Sequence, residues 1–108
     1  MANQEVPAFG HCLSAQPWQQ LADGLREKSC DVGPQRFRIV EFSEPFEEPE
    51  WCYRGHAGYV LSGQMIVNVD GVMTTYRAGD VISLPRGVRH RHHTTIETTQ
   101  LFLVEDPE

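Results

Sequence analysis

The chain lacks the clustered positive charge of a nucleic-acid-binding protein. It carries one lysine, Lys28, beside eight arginines, and its net charge at pH 7 is −6. Binding to nucleic acid depends on grouped cations that displace counterions from phosphates. We therefore expect no nucleic-acid partner.

Cysteine and long apolar runs are scarce as well. The three cysteines, Cys12, Cys30 and Cys52, are too few and too scattered for a disulfide framework. The longest apolar runs span only a few residues, which is too short to cross a bilayer. No basic region followed by an apolar core opens the chain, as a signal peptide would require. These absences predict a cytoplasmic protein with reduced thiols and no membrane contact.

Three common sequence signatures are missing too. The sequence contains no nucleophile elbow around a serine, no phosphate-binding glycine loop and no dinucleotide fingerprint. With 108 residues, the chain has room for one hydrophobic core but not for separate cofactor and substrate domains. Any active or binding site is therefore expected within one small domain.

The N-terminal third carries a helix signal. Residues 1–13 have mixed character and are expected to form an arm or a short edge strand. Pro17 suits a first helical turn, and the apolar residues after it follow a spacing of i, i+3, i+4 and i+7: Trp18, Leu21, Ala22 and Leu25. We predict that residues 1–35 form an arm and a short α-helix packed on a barrel of residues 36–108, all within one structural domain.

From Arg36 onward the apolar period becomes two, which is typical of strands. Val40 and Phe42 are expected on one face of the first strand, and Phe37 and Ile39 on the other. Many short strands with glycine and proline corners follow, and they predict an all-β sandwich or barrel.

The Asp70-Gly71 pair is the strongest hairpin signal, because a tight turn there needs positive φ at both residues. An acidic, proline-stiffened loop is expected at 44–49. The other strands are predicted at 51–53, 59–61, 65–69, 72–76, 81–84, 90–93 and 100–104.

The segment from Gly79 to His90 reads GDVISLPRGVRH and is the most informative stretch. A glycine precedes the apolar run 81–84, and Pro85 and Gly87 close that run. Such a backbone turns sharply after a buried strand and aims the imidazole of His90 into a cavity. Imidazole is a common metal ligand, so the segment predicts a metal-binding side chain.

This segment resembles the second motif of the cupins, a family of small jelly-roll β-barrels. That motif is a glycine, five residues, Pro-x-Gly, two residues, a histidine, three residues and an asparagine. Gly79, Pro85, Gly87 and His90 match it in order and spacing, and Thr94 stands at the asparagine position. The resemblance implies an all-β, cupin-type jelly-roll β-barrel, here with one short N-terminal α-helix.

The first cupin motif is matched in spacing but not in residue identity. It runs His-x-His, three or four residues, a glutamate, six residues and a glycine. Gly63 matches the closing glycine, and counting back puts His56 at the glutamate position. Glu50 and Cys52 then occupy the places of the paired histidines.

Cupins usually hold a divalent metal with three histidines and one glutamate. By this resemblance the metal ligands here would be Glu50, Cys52, His56 and His90, all of residue types that bind metals. If Cys52 binds as a thiolate, the soft ligand favours zinc. If it points away, the carboxylate and two imidazoles suit iron(II), or manganese or nickel. The expected cofactor is a divalent metal ion, zinc or iron first, and the sequence leaves the choice open.

Two further histidines follow His90 on the same strand. His92 shares the parity of His90 and is an alternative ligand, an acid-base group or a hydrogen-bond partner of a ligand. His93 is expected to face outward. Of His92 and Glu50, the one that does not bind metal is the candidate for catalytic proton transfer.

Three arginines flank His90 in the sequence: Arg86, Arg89 and Arg91. In one interpretation they form an ordinary solvated strand face. In the other, one of them grips a carboxylate or phosphate of the ligand at the mouth of the site. The second interpretation makes the expected small-molecule ligand anionic.

The resemblance implies functions that range from dioxygenases, isomerases and lyases to modules that only bind. We expect a metal-dependent enzyme that acts on a small polar metabolite inside the barrel. The alternatives are a non-catalytic module that binds or senses a metal or small ligand, and a metal-free scaffold. Edge strands in the family commonly pair across a two-fold axis, so we also expect a homodimer.

Overall fold

The computed structural model describes residues 13–96 and 98–105 of the chain. Within them, no helix has the length and apolar character needed to cross a membrane. One short 3-10 turn, Leu13–Ala15, precedes the strands. The strands are β1 Gln19–Ala22, β2 Leu25–Val32, β3 Gln35–Phe42, β4 Phe46–Glu47, β5 His56–Ser62, β6 Gln64–Val69, β7 Val72–Arg77, β8 Val81–Leu84, β9 His90–Thr94 and β10 Thr99–Glu105.

The strands form two antiparallel sheets. The six-stranded sheet has the order β1-β2-β3-β10-β5-β8, and the four-stranded sheet has the order β4-β9-β6-β7. From β3 onward each connection crosses from one sheet to the other, except the β6–β7 hairpin, as in a jelly-roll barrel. The all-β fold predicted from the sequence is confirmed. Side chains from both sheets enclose the core: Val40, Phe42, Val60, Met65, Val67, Ile82, Leu84, Leu101 and Leu103.

Strand β3 shows the alternation predicted from the sequence. Val40 and Phe42 are buried in the core. Phe37 has the opposite parity and packs against Phe102 of β10, with ring centroids 6.3 Å apart. Arg38 shares the parity of Val40, so β3 carries one guanidinium group toward the interior.

The hairpin predicted at Asp70-Gly71 joins β6 to β7. Asp70 has a φ of 52° and Gly71 a φ of 93°. The Gly71 amide donates a hydrogen bond of 2.7 Å to the side-chain oxygen of Asn68. Positive φ at both central residues is what this tight turn requires, so the prediction is confirmed.

The predicted short N-terminal α-helix is wrong. The segment forms the β1–β2 hairpin instead, and the 3-10 turn is the one helical element among the residues described. Asp23-Gly24 makes the two-residue turn of this hairpin, with a φ of 71° at Gly24. It is the same dipeptide that marks the β6–β7 turn, so the sequence did contain a signal for a hairpin here.

Pairing with β3 explains why the helical spacing has no effect. β2 runs beside β3 from Leu25 opposite Phe42 to Val32 opposite Gln35. This pairing gives the backbone of β2 its hydrogen-bond partners, which a helix would have supplied internally. The predicted boundary between arm and barrel, at residues 35 and 36, falls at the start of β3.

Three further predictions concern irregular segments. The strand predicted at 51–53 is reduced to an isolated bridge between Cys52 and His90. The loop predicted at 44–49 contains the two-residue strand β4. The arm predicted at 1–13 lies, up to residue 12, outside the described residues.

Candidate metal centre and cavity

Three imidazoles meet inside the barrel: His56 at the start of β5, and His90 and His92 on β9. One ring nitrogen of each lies within 4.8 Å of the others. The two-residue spacing puts His90 and His92 on the same face of β9. Because β5 and β9 belong to different sheets, His56 reaches the other two across the interior.

Hydrogen bonds at Nδ1 orient two of the rings. His90 Nδ1 lies 2.9 Å from the carbonyl oxygen of Val88, and His92 Nδ1 lies 3.0 Å from the carboxylate of Glu48. Both oxygens can only accept a hydrogen bond, so Nδ1 of each ring carries the proton. Nε2 of each ring then keeps its lone pair, and this is the tautomer that binds a metal through Nε2. His90 Nε2 is buried and has no hydrogen-bond partner in the described structure.

Glu48 stays ionised beside His92. Burial by itself raises the pKa of Glu48, but the hydrogen bond from His92 and the charges of His92 and His90 leave the pKa below its ordinary value. The same carboxylate oxygen accepts a hydrogen bond of 3.0 Å from the backbone N–H of His92. These two bonds hold the carboxylate and the ring in one arrangement.

His56 completes the group. Its Nε2 lies 3.2 Å from His92 Nε2, and its Nδ1 is buried without a hydrogen-bond partner among the described residues. Burial, followed by the charges of His92, His90 and Arg38, lowers the pKa of His56 to about 3. Burial also lowers the pKa of His90.

The geometry fits a divalent metal. Two imidazole nitrogens as close as those of His56 and His92 need a proton or a metal ion between them. A neutral His56 can supply the proton from its own Nε2, and a metal ion can take the place of that proton. Three neutral imidazoles around one point are a donor set suited to a divalent transition metal.

The structure brings together two of the four ligands predicted from the sequence. His56 and His90 belong to the group, and His92, predicted as an alternative ligand, is its third member. Glu50 is exposed in a loop, and the structure does not bring it to the imidazoles. The parity argument for Glu50 required a strand at 51–53, and a single bridge forms there instead.

Cys52 lies beside the imidazoles but outside the group of mutually close ligand atoms. It lines the cavity, and its Sγ accepts a hydrogen bond of 3.5 Å from the backbone N–H of Arg54. His93 also lies outside the group. Sequence reasoning missed Glu48, because nothing in its spacing distinguishes it from the other glutamates of the acidic loop.

A cavity of about 270 Å³ opens beside the imidazoles. Along β10, Glu105 pairs with His56, whereas Leu101 pairs with Val40. The charged groups therefore lie toward the His56 end of the cavity and the Leu101–Val40 pair toward the other, with Leu103 opposite Arg38 between them. The apolar residues that line the cavity are Leu25, Val40, Phe42, Phe46, Met65, Leu101 and Leu103.

A buried ion network lines the charged end. Arg38 donates to Glu27 and, over 2.7 Å, to Glu105. Arg54 reaches the other oxygen of Glu105 at 3.3 Å. Glu105 also lies 3.8 Å from His56 Nδ1. The alternation of β3 indicated from the sequence that Arg38 faces inward. Its partner Glu105 could not be predicted, because it lies 67 positions further along the chain.

The three arginines that flank the motif histidine do not line this cavity. Arg89 and Arg91 lie over the ring of Trp51, 4.0 and 5.4 Å from its centre. Arg86 lines a separate outer groove. The guanidinium groups of the cavity belong instead to the buried ion network.

Comparisons with known proteins agree with this architecture. A sequence profile of the cupin domain matches residues 48–104, more than half of the chain. The matched region contains all three imidazoles and Glu48. A comparison with curated protein sequences finds no match.

Solved structures share the fold at low sequence identity. The cupin domain of Cnp3 from Schizosaccharomyces pombe has a TM-score of 0.73 and 19% identity, over 93% of this chain and 74% of that chain. An RmlC-like cupin from Shewanella frigidimarina has a TM-score of 0.73 and 18% identity, over 98% and 93%. KdgF from Halomonas sp. has a TM-score of 0.66 and 19% identity, over 88% and 90%. The profile match and the shared fold together show that this chain belongs to the cupin family.

Proposed function

We propose that this cupin is a metal-dependent enzyme that holds one divalent ion with His56, His90 and His92 and acts on a small molecule in the adjoining cavity. The observation that carries the proposal is the buried Nε2 of His90, which has no hydrogen-bond partner in the described structure although two other imidazoles surround it. Buried polar nitrogens are rarely left unpaired, because the lost hydration is costly. A metal ion would accept this lone pair.

A divalent ion bound there would supply a Lewis acid that polarises a carbonyl oxygen or activates water. The Val88 carbonyl and the Glu48 carboxylate hold two of the ligand rings in the metal-binding tautomer. Glu48 also lines the cavity, so it replaces Glu50 as the carboxylate proposed for proton transfer. Imidazole suits zinc and iron alike, and both remain the proposed metals.

Elemental analysis of protein purified without chelator tests the metal site. We expect about one divalent ion per chain in the wild type, as one three-imidazole site requires, and loss of most of it in His90→Ala and His92→Ala. His93→Ala is the matched control, because His93 is the next residue on the same strand but lies outside the group. A metal-free wild type, or equal loss in His93→Ala, would contradict the proposal.

The same measurement separates the three-imidazole site from the ligand set predicted from the sequence. We expect Cys52→Ser and Glu50→Gln to keep the wild-type metal content. Cobalt(II) substitution adds a second readout, because thiolate ligation gives a charge-transfer absorption that imidazole ligation does not. Loss of metal in either variant would show that the substituted residue is a ligand. A thiolate band would show the same for Cys52.

A second candidate is a non-catalytic module that binds a metal and a small ligand. It is favoured by the pairing of both carboxylates in the cavity wall: Glu48 with His92, and Glu105 with Arg38 and Arg54. Paired carboxylates are less available for proton transfer. Saturable ligand binding without product under zinc, iron or manganese would select this candidate, and product formation would select the enzyme.

A further inference from the structure

The polar groups of the cavity are mostly bonded to one another. Arg38 and Arg54 engage Glu105, and Glu48 engages His92. A sugar or another ligand with many hydroxyl groups would have to break these bonds or leave hydroxyls unpaired against the wall. The arrangement disfavours a ligand that is polar along its whole length.

The rest of the cavity favours hydrocarbon. Phe42 and Leu101 of the six-stranded sheet and Phe46 and Met65 of the four-stranded sheet line its walls. The Phe42 and Phe46 rings are in contact, with centroids 5.1 Å apart. Burying apolar atoms between such walls is favourable by the area removed from water. The volume of about 270 Å³ lies just below the usual range for ligand pockets, about 300–1,000 Å³, so the hydrocarbon part must be small.

The charges at the other end favour an anionic ligand. Arg38 and Arg54 line the cavity together with Glu48 and Glu105, and both arginines pair with Glu105. A divalent ion on neutral imidazoles would add two positive charges beside these groups, and buried charge is costly unless it is paired. A negatively charged group on the ligand would pair with the ion.

We infer that the ligand is a small carboxylate with a single negative charge and a short hydrocarbon tail, with its head at the three imidazoles and its tail against the apolar walls of the cavity. The inference rests on the proposed metal site, because the ion supplies the positive charge that selects an anionic head, and the apolar walls disfavour a second charge on the ligand. It replaces the polar metabolite expected from the sequence with an amphipathic one.

Isothermal titration of zinc-loaded wild-type protein with acetate, butyrate and hexanoate tests the tail. We expect affinity to rise by about threefold to fourfold for each added methylene, the gain from burying one such group. Affinity that does not change with chain length would overturn the inference.

The head is tested with ligands of matched length. We expect zinc-loaded protein to bind hexanoate at least about tenfold more tightly than hexanol, hexylamine or adipate, since only hexanoate brings one negative charge to the site and buries its whole tail. Equal binding of hexylamine and hexanoate, or equal hexanoate binding with and without zinc, would overturn the charge argument.

Two variants locate the tail. Phe46 and Tyr76 are both partly buried aromatic residues packed on the core, but only Phe46 lines the cavity. Phe46→Ala is expected to weaken hexanoate binding about tenfold and to leave acetate unchanged, whereas Tyr76→Ala leaves both unchanged. If Phe46→Ala does not fold, Leu25→Ala takes its place, because Leu25 is also partly buried and lines the same wall.

A zinc titration of each sample comes first and keeps the two proposals apart. If wild-type protein does not bind zinc, the metal site itself fails. If zinc binds with one-to-one stoichiometry and hexanoate does not bind, the metal site stands and the ligand inference is wrong.

Discussion

At the candidate metal centre, hydrogen bonds at the second ring nitrogen hold two of the three imidazoles. His90 bonds to the Val88 carbonyl and His92 to the Glu48 carboxylate. His56 Nδ1 lies 3.8 Å from Glu105 and has no hydrogen-bond partner among the described residues. Such partners fix which nitrogen keeps its lone pair and hold the ring in position. Carboxylate partners also raise the basicity of the ligand, so Glu48 should matter almost as much as the ligands themselves.

We predict that Glu48→Gln lowers zinc affinity by about 10–100-fold without removing the site, the usual effect of losing such a partner. The neighbouring variant Glu47→Gln is the control, because the Glu47 side chain is exposed and does not line the cavity. Competition with a chelator of known affinity measures both. Equal affinities in the two variants would show that the Glu48–His92 bond does not support metal binding.

The depressed pKa of His56 predicts acid sensitivity of the metal-free protein. The folded protein keeps His56 neutral down to about pH 3, whereas the unfolded chain protonates it near pH 6.5. The contribution of neutral His56 to the free energy of unfolding is therefore fully present above about pH 6.5. It is lost as the pH falls from there toward 3. One such group contributes a slope of about 1.4 kcal/mol per pH unit.

Urea unfolding of metal-free protein at several pH values between 7.5 and 4 measures this slope. His56→Asn has no imidazole to protonate at this position. We expect its free energy of unfolding to fall less steeply with acid, by about 1.4 kcal/mol per pH unit. Identical slopes in the wild type and the variant would mean that His56 is protonated in the folded protein near its ordinary pKa.

At the scale of elements, two hairpins carry the same Asp-Gly signal but different neighbours. At β6–β7 the dipeptide separates two period-two runs, so the sequence pattern and the turn agree. At β1–β2 it interrupts apolar residues whose spacing also fits a helix, from Trp18 to Leu25. Pairing of β2 with β3 along its length decides between the two, because tertiary pairing overrides a weak local preference.

The turn between β5 and β6 makes a sharper prediction about one glycine. Gly63 has a φ of 81°, and a Cβ there would overlap the Thr98 carbonyl oxygen and the Thr99 side chain. Gly71 has a φ of 93°, but open space surrounds its Cβ position. A side chain at either position has the backbone cost of an L-residue at positive φ. Only at Gly63 would its Cβ also overlap neighbouring atoms.

We expect Gly71→Ala to lower the free energy of unfolding by about 1–2 kcal/mol, and Gly63→Ala to lower it by about 1–3 kcal/mol more. Chemical denaturation of both variants beside the wild type measures the difference. If both glycines cost the same, the crowding at Gly63 is relieved by local movement, and its role is that of an ordinary turn residue.

At the scale of the whole molecule, part of the outer face of the six-stranded sheet is apolar, from β3 to β8. The register places Ile39, Phe102, Tyr59 and Val81 in one row across β3, β10, β5 and β8. Tyr59 and Val81 are exposed. A sheet with one face in water usually carries polar residues on that face, and an apolar outer face marks an interaction surface.

We therefore predict that this face is the contact of the homodimer expected from the sequence. Val81→Glu should shift the protein toward monomer in sedimentation velocity, because it places a charge inside the contact. Val72→Glu is the control, since Val72 is equally exposed, at 67% against 65% for Val81, but lies on the four-stranded sheet. A monomeric wild type, or equal dissociation in both variants, would contradict the prediction.

The sequence by itself determined the parts of this protein that depend on local spacing. The sequence predicted β3 and the strands from β5 onward, although it missed β4 and predicted a strand at 51–53 where one bridge forms. Asp70-Gly71 predicted a turn whose backbone angles the structure confirms. His90 could be selected from the turn residues around it, and His56 because its spacing to Gly63 resembles that of the first cupin motif. Residues a few positions apart constrain one another directly through backbone geometry.

Only the tertiary structure decided which side chains share the site. His56 and His92 come from different sheets, and Arg38 and Glu105 are separated by 67 positions. Their meeting depends on how two sheets pack and in which register, and no local pattern encodes that. The same packing left Glu50 outside, brought Glu48 inside and turned a helical spacing into a paired strand, because burial and backbone pairing across the whole fold outweigh local preference.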